Sequence, residues 1–179
     1  GPIFVVEKAR LALTNWVFNA WGRKYEPFDQ DNIVPKGMAQ LAKIQEFVAD
    51  MVLEGGGIDV NGLGTCLTTE ECLLNPNRNP DLRRKGIQTR LHDFLGINHV
   101  IWLKRGIEGD DTDGHVDEIA RFVDPKTVVV TTEDDSTDEN YNSLRRNWEI
   151  LSEARDQDGN KLNVVPLPMP EKVEHEKIR

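Results

Sequence analysis

The chain has 179 residues, of which 38% are hydrophobic and 30% are charged, and its formal net charge is −9. This length suffices for one domain with a sizeable core, and the acidic balance argues against nucleic acid or an anionic membrane as a partner. No run approaches the roughly 20 apolar residues that a membrane-spanning helix needs, and no secretory leader is visible. Because two cysteines make no disulfide framework, we expect a soluble, cytoplasmic protein.

The first third of the chain predicts two strands, a helix and a short third strand. Residues 3–8 and 11–18 are rich in Ile, Phe, Val and Trp, as strands are. Residues 38–51 predict an amphipathic helix, because their apolar side chains recur at helical spacing. Those side chains are Leu41, Ile44, Phe47, Val48 and Met51. Residues 52–53 then predict a short strand before a glycine-rich segment.

The middle third repeats this order. The pair Asn61-Gly62 predicts a hairpin, because both turn positions tolerate positive φ. The segment from Thr68 to Glu71 fits a capping box at the start of a short helical turn. Gly96 is the predicted end of the longer helix that follows. The predicted elements are strands over 58–60, 65–67 and 99–103 and a helix over 81–95.

The last third predicts the same order once more. The predicted elements are strands over 116–123, 127–132 and 162–167 and a helix over 138–154. Ser136 or Thr137 is the expected N-cap of that helix. The chain therefore predicts a strand–strand–helix–strand unit three times, and copies of such a unit usually bury their faces against one another. The three units cover about 1–54, 55–108 and 109–170.

Two loops occupy equivalent places in these units. The Glu54–Gly57 loop holds three glycines, and the Gly109–Glu118 loop holds five carboxylates and one histidine. Each loop follows a predicted third strand and precedes the next hairpin. Glu54 and His115 are 61 positions apart, which is one repeat period. If the units surround an axis, both loops can converge on it.

Glu54, His115 and Asp117 are therefore candidates for one catalytic cluster. Side chains two apart on an extended strand share a face, so we expect the His115 imidazole beside the Asp117 carboxylate. Such a pair suits proton transfer next to a bound cation, and a guanidinium donates to two carboxylate oxygens at a time. Taken singly, Glu54 and Asp117 are better explained as solvated loop acids.

A metal site is the competing interpretation of the acidic loop. Its Asp-x-Asp-Gly sequence is similar to part of a calcium loop, but the first and twelfth ligand positions would be Gly109 and Ala120. For zinc, the loop offers one histidine and no paired cysteines. We therefore predict no metal and no cofactor.

Four ordered motifs resemble the agmatine deiminase family, which is grouped with bacterial-type peptidylarginine deiminases. The motifs are Phe18 to Gly22, Leu53 to Gly62, Gly64 to Pro80 and Gly109 to Asp117. The resemblance implies an α/β pentein propeller of five ββαβ units, of which residues 1–179 would hold about three in a partial catalytic domain. It also implies hydrolysis of agmatine to N-carbamoylputrescine and ammonia through a covalent cysteine thioether.

The resemblance implies roles for individual residues. His115 matches the general acid/base, and Asp117 matches a carboxylate that holds the substrate guanidinium. Glu54 matches a third acid near the histidine and the substrate. Trp16 and Trp21 are predicted to line the substrate pocket, with core packing as the alternative.

The two cysteines match family positions other than the nucleophile, so Cys66 and Cys72 are predicted to be packing residues. Nothing in the chain matches the glycine-rich segment that carries the family's nucleophilic cysteine. The family's further guanidinium-binding aspartate would lie just before Gly1. We therefore expect a central fragment of the enzyme that is inactive by itself.

Alternatives to agmatine hydrolysis remain at this point. One is a peptidylarginine deiminase or another arginine-type deiminase, and another is a non-catalytic module that binds a guanidinium or a polyamine. The expected partner is a small cationic guanidinium compound. We also expect a homo-oligomer or association with the missing part of the chain, because uncovered module faces are apolar.

Overall fold

The computed structural model describes residues 1–170 and has a mixed α/β architecture with three three-stranded sheets. The strands are β1 (Ile3–Glu7), β2 (Arg10–Val17), β3 (Gln45–Val52), β4 (Ile58–Val60), β5 (Thr65–Thr69), β6 (His99–Leu103), β7 (Ala120–Asp124), β8 (Thr127–Thr132) and β9 (Asn163–Pro168). In each sheet the first two strands pair antiparallel, and the third pairs in parallel with the second. The predicted α/β class is confirmed, and closure of the units into a propeller stays a prediction.

Helices connect the second and third strand of each sheet, because parallel neighbours need a crossover connection. The helices are α1 (Ala20–Arg23), α2 (Asp29–Ala42), α3 (Glu70–Leu73), α4 (Arg84–Leu95) and α5 (Tyr141–Glu153). Two short 3₁₀ turns span Gly55–Gly57 and Val116–Glu118. Within residues 1–170, no helix is long and apolar enough to cross a membrane.

The helix predicted over residues 38–51 is wrong. Helix α2 ends at Ala42, and Lys43 closes it with a left-handed φ of 54°. The residues after this turn form β3, which lies parallel to β2. Ala49 and Met51, two positions apart, are both buried, so the segment also has the period of a strand. Pairing with β2 therefore decides between two periodicities that a short apolar run fits equally well.

Three predicted helix starts are also wrong by one to three residues, and one of them is α4, which was predicted from residue 81 and begins at Arg84. Thr69, and not Thr68, caps α3, since its Oγ1 accepts a hydrogen bond from the backbone N–H of Cys72 (3.0 Å). Helix α5 begins at Tyr141, so neither Ser136 nor Thr137 is its N-cap. Carboxylates in residues 135–138 accept from backbone N–H groups two positions ahead, and such local turns compete with the helix.

The middle sheet is buried on both faces. Cys66 belongs to a core cluster shared with the first sheet and α4, whereas the adjacent Leu67 belongs to a cluster shared with the third sheet and α5. This division follows from the alternation of side chains along a strand. All five residues of β5 are buried, so the loops that meet at its end lie close to the interior.

Candidate active site

The two glycine-acid loops meet at the C-terminal end of β5. Thr68 Oγ1 donates a hydrogen bond to the carbonyl of Gly57 (2.8 Å), in the loop after β3. Thr69 Oγ1 donates to the carbonyl of Gly114 (2.6 Å), in the loop after β6. Consecutive threonines of one strand point to opposite faces, so each of them holds one loop. The predicted convergence of the two loops is therefore confirmed, although Thr68 and Thr69 were not assigned this part from the sequence.

An imidazole lies between two carboxylates in this cluster. His115 Nε2 is 3.8 Å from Glu54 Oε2, and His115 Nδ1 is 3.8 Å from Asp117 Oδ1. Glu54 and His115 are buried, whereas the Asp117 side chain is 34% exposed. Glu54 Oε2 and His115 Nε2 are buried without a hydrogen-bond partner, which is rare enough in folded proteins to point to a functional group. The arrangement can pass a proton and can hold a cation from two sides.

The backbone that brings His115 and Asp117 together is not the extended strand that the sequence predicted. Residues 116–118 form a 3₁₀ turn, and β7 begins only at Ala120. The two side chains still come together, with His115 Nδ1 3.8 Å from Asp117 Oδ1. The predicted proximity is correct, and the reason given for it is wrong.

Gly56 lets the two loops come this close. A Cβ atom at Gly56 would lie 2.5 Å from His115 Nδ1 and 2.8 Å from both carboxylate oxygens of Asp117. Real Cβ atoms essentially never come within 3.0 Å of such neighbours. The glycine is therefore required by its contacts and not by its backbone conformation.

Arg78 is a part of the cluster that the sequence did not reveal. Its side chain is completely buried, and its Nε donates to Glu54 Oε1 (2.8 Å). Burial alone would raise the pKa of Glu54, but its contacts with His115 and Arg78 outweigh burial and hold the pKa below its ordinary value. Glu54 is therefore an ionised acid at neutral pH, with one oxygen taken by Arg78 and the other facing His115.

The acidic loop uses most of its charge for its own structure. Asp110 accepts hydrogen bonds from the backbone N–H groups of Thr112 (2.6 Å) and Gly114 (2.7 Å). Burial opposes ionisation of Asp110, but these bonds outweigh it and lower its pKa. Asp113 accepts hydrogen bonds from Lys24 Nζ (2.5 Å) and from the guanidinium of Arg78 (2.6 Å). These two aspartates shape the loop.

Trp21 lies on the segment that packs against this loop. All four residues of α1 have positive φ, which is unusual because three of them, Ala20, Trp21 and Arg23, are not glycine. The Trp21 ring makes edge-to-face contacts with Phe18 (5.3 Å) and Tyr25 (5.8 Å), and it borders a cavity of about 470 Å³. The Tyr25 hydroxyl donates to Asp111 in the acidic loop. The predicted part of Trp21 in binding substrate stays a prediction.

Trp16 is a core residue in this structure. It is 3% exposed and lies with its ring edge-to-face against Phe94, at 5.4 Å between centroids. Its indole N–H donates to Thr14 Oγ1 (2.8 Å). The position of Trp16 therefore agrees with the core-packing alternative, and its role in lining a substrate pocket stays a prediction.

Both cysteines are buried in the core, as predicted for packing residues. Burial raises the pKa of each thiol, so neither is a thiolate at neutral pH. Cys72 nevertheless lies beside the cluster, because ligand atoms of Glu54, Cys72 and His115 are all within 4.8 Å of one another. These three groups are the donor types that a zinc ion accepts. The sequence prediction of no metal site did not foresee this grouping.

The family model for Porphyromonas-type peptidyl-arginine deiminases matches residues 1–179. The chain belongs to this family. An agmatine deiminase of Medicago truncatula is 42% identical over an alignment of 184 positions, which covers 95% of this chain and 49% of that protein. The structure of the agmatine deiminase of Enterococcus faecalis catalysing its reaction has a TM-score of 0.91 and 36% identity, over 96% of this chain and 49% of that one. An agmatine deiminase of C. jejuni with substrate bound has a TM-score of 0.87 and 38% identity, over 99% of this chain and 52% of that one.

The family membership confirms the resemblance derived from the four sequence motifs. The chain spans about half the length of the curated relatives that it matches. The cluster of Glu54, His115 and Asp117 therefore belongs to a chain of known family, while the activity of the whole protein is a separate question.

Proposed function

We propose that the full-length protein hydrolyses agmatine to N-carbamoylputrescine and ammonia. The observation that carries this proposal is the pair of buried, unpartnered atoms, Glu54 Oε2 and His115 Nε2, beside the accessible carboxylate of Asp117. Unsatisfied buried acceptors of this kind suit a ligand that brings several N–H donors, as a guanidinium does. Membership in the deiminase family supports the same chemistry.

The proposed reaction divides the work between this chain and a thiolate from elsewhere in the full-length protein. The thiolate attacks the guanidinium carbon, and His115 donates a proton to the nitrogen that leaves as ammonia. Water then attacks the thioether carbon, His115 takes up a proton, and the carbon–sulfur bond breaks. Asp117 and Glu54 hold the substrate's positive charge. The raised pKa values of Cys66 and Cys72 support a nucleophile outside residues 1–179.

A second candidate is hydrolysis of peptidyl-arginine. The name of the matched family, peptidyl-arginine deiminase, favours this substrate, whereas the relatives named agmatine deiminase favour agmatine. Ammonia release from agmatine, free arginine and a blocked arginyl peptide decides between these substrates. We expect turnover of agmatine, and turnover of the peptide alone would overturn the proposal. Binding of agmatine without any ammonia release would instead favour the non-catalytic module.

The catalytic role of His115 has a direct test in the full-length protein. We expect His115→Asn to lower kcat for agmatine by about 10²- to 10⁴-fold, the usual contribution of a general acid/base. The matched control is His99→Asn, because His99 is an exposed histidine at the start of β6. Equal activity of the two variants would contradict the assignment.

We further propose that residues 1–179 are part of a single pentein catalytic domain, with units near 1–54, 55–108 and 109–170. The shared strand order of the three sheets supports this division. Large apolar side chains stay exposed on the first sheet and α2, including Val6 (71%), Leu41 (87%) and Val48 (68%). Such a surface supports a covered interface, either with further units of the same chain or with a second copy. A cytoplasmic location fits the two free thiols.

A further inference from the structure

Arg78 is the most completely engaged charged side chain at the site. Its Nε donates to Glu54 Oε1 (2.8 Å), and its Nη2 donates to the carbonyl of Thr112 (2.7 Å). Its Nη1 donates to Asp113 Oδ2 (2.6 Å) and to Asn77 Oδ1 (2.9 Å). The guanidinium is planar, so four acceptors around it leave almost no freedom of rotation. Any carboxylate bonded to it inherits that fixed position.

The contact between Arg78 and Glu54 leaves half of the carboxylate free. Elsewhere in the fold, Arg90 holds both oxygens of Asp50, each at 2.7 Å, in the two-pronged geometry that arginine and carboxylate prefer. Arg78 takes only Oε1 of Glu54, and Oε2 stays without a hydrogen bond at 3.8 Å from His115 Nε2. The geometry thus presents one acceptor oxygen to the place where a substrate would lie.

A purely structural ion pair does not explain this arrangement well. Burying an arginine beside a carboxylate is costly and by itself gives little stability, because both charges lose their hydration. Leaving the second oxygen of that carboxylate unpartnered adds a further desolvation cost. A side chain that served stability alone would satisfy both oxygens, whereas a site for a guanidinium needs one of them free.

We propose that Arg78 is a positioning residue that pairs with Oε1 of Glu54 and thereby aims the free Oε2 at His115 and the substrate guanidinium. This inference rests on the proposed deiminase function. Arg78 does not touch substrate, since its side chain is completely buried behind Glu54, Thr112 and Asp113. It acts on the reaction through Glu54, whose only hydrogen bond among the described residues comes from Arg78.

The consequence of losing Arg78 follows from the burial of Glu54. With 7% exposure, the carboxylate would keep little hydration and would lose its one donor. Removing a positive charge at this distance raises the pKa of the neighbouring carboxyl. A protonated Glu54 donates where an ionised one accepts, so it no longer attracts the guanidinium. Activity would then return only at higher pH.

The test compares Arg78→Met, Arg78→Lys and the control Arg90→Met in the full-length protein. For Arg78→Met we expect kcat/KM for agmatine to fall by about 10²-fold at pH 7, with its acid limb moved up by about one pH unit. For Arg78→Lys we expect a loss of about tenfold with the acid limb in its wild-type position. Lysine keeps the positive charge but lacks the planar guanidinium that donates to several acceptors at once. Arg90→Met should match the wild type.

Two results would overturn the proposal. The first is an equal loss at every pH with an unmoved acid limb in Arg78→Met, which is what a smaller folded fraction produces. The second is wild-type kcat/KM in either Arg78 variant. If Arg78→Met does not fold, Arg78→Lys alone decides, because it retains the positive charge and tests the contribution of the planar guanidinium.

A readout without turnover separates this proposal from the proposed function. NMR titration of ¹³C-glutamate-labelled protein follows the Glu54 carboxyl, and Glu54→Gln identifies its resonance. If the wild type releases no ammonia from agmatine, the proposed function fails, and the titration still tests Arg78. We expect the Glu54 pKa to be higher in Arg78→Met than in the wild type, and an unchanged pKa would overturn the inference.

Discussion

Gly56 offers a sharp test of the catalytic geometry, because a side chain at this position would collide with both His115 and Asp117. A Cβ there would lie 2.5 Å from His115 Nδ1, whereas ordinary contact begins at 3.4 Å, so Gly56→Ala forces a displacement of roughly 0.9 Å. Misplacing a reacting group by about 1 Å costs on the order of 10²-fold in rate, or about 2.7 kcal/mol of transition-state stabilisation. We therefore expect kcat/KM for agmatine to fall by about 10²-fold.

The neighbouring glycine supplies the matched control for this measurement. A Cβ at Gly55 meets nothing within 4 Å, so Gly55→Ala should keep kcat/KM close to the wild-type value. Ammonia release by the full-length variants gives the rates, and urea unfolding shows whether each variant is folded. Wild-type activity of Gly56→Ala would refute the reasoning, and so would an equal loss in both variants.

Three further predictions concern charge, metal and association. Asp110→Asn should lower the free energy of unfolding by about 1 kcal/mol at pH 7. In urea unfolding that difference should shrink as the pH falls through the lowered pKa of Asp110, because such an acid stabilises the fold fully above its unfolded pKa and loses this effect as it is protonated in the folded state; a constant difference would contradict this. Zn²⁺ should inhibit agmatine hydrolysis by occupying Glu54, Cys72 and His115, and EDTA should leave the rate unchanged; loss of activity in EDTA, restored by Zn²⁺, would point to a resident metal. Residues 1–179 produced alone should associate through their exposed apolar side chains, and a concentration-independent monomer in sedimentation would count against it.

The sequence predicted those parts of the fold that local chemistry determines. Gly62 has φ of 76° in the predicted hairpin turn, and Gly96 closes α4 with φ of 70°. Both positions need a conformation that glycine adopts at little cost, so the signal lies in the residue itself. The spacing of 61 residues between Glu54 and His115 was similarly informative, because equivalent positions in repeated units meet in space.

The error over residues 38–51 shows where local pattern is insufficient. The side chains that suggested a helix include Phe47 and Val48, which are exposed in β3, at 49% and 68%. As consecutive residues of a strand they point to opposite faces of the first sheet, and neither lies on a buried stripe of a helix. Apolar spacing identifies a helix or strand only when the apolar residues that carry the pattern are buried, and these two are exposed.

Arg78 was missed because its partners are distant in sequence. Glu54 and Asp113 lie 24 and 35 positions away, and no local pattern pairs an arginine in a polar turn with either acid. An available signal was the surplus of carboxylates around the two loops. A surplus of that size at a buried place needs internal cations, and an arginine flanked by asparagines and prolines was the nearest candidate.

The pairings of Arg78 also change the interpretation of the acidic loop. Its five carboxylates suggested a strongly negative surface that attracts a cation. However, Asp110 accepts hydrogen bonds from backbone N–H groups of the same loop, and Asp113 forms ion pairs with Lys24 and Arg78. Of the loop's acids, Asp117 keeps an oxygen near His115 and has only a distant cation, Arg121 at 3.9 Å. If the proposed function holds, the attraction for a guanidinium comes from two oriented oxygens, on Glu54 and Asp117, and not from net charge. Neutralising Asp117 should weaken agmatine binding far more than neutralising Asp111 of the same loop, and KM for the two asparagine variants distinguishes the two explanations.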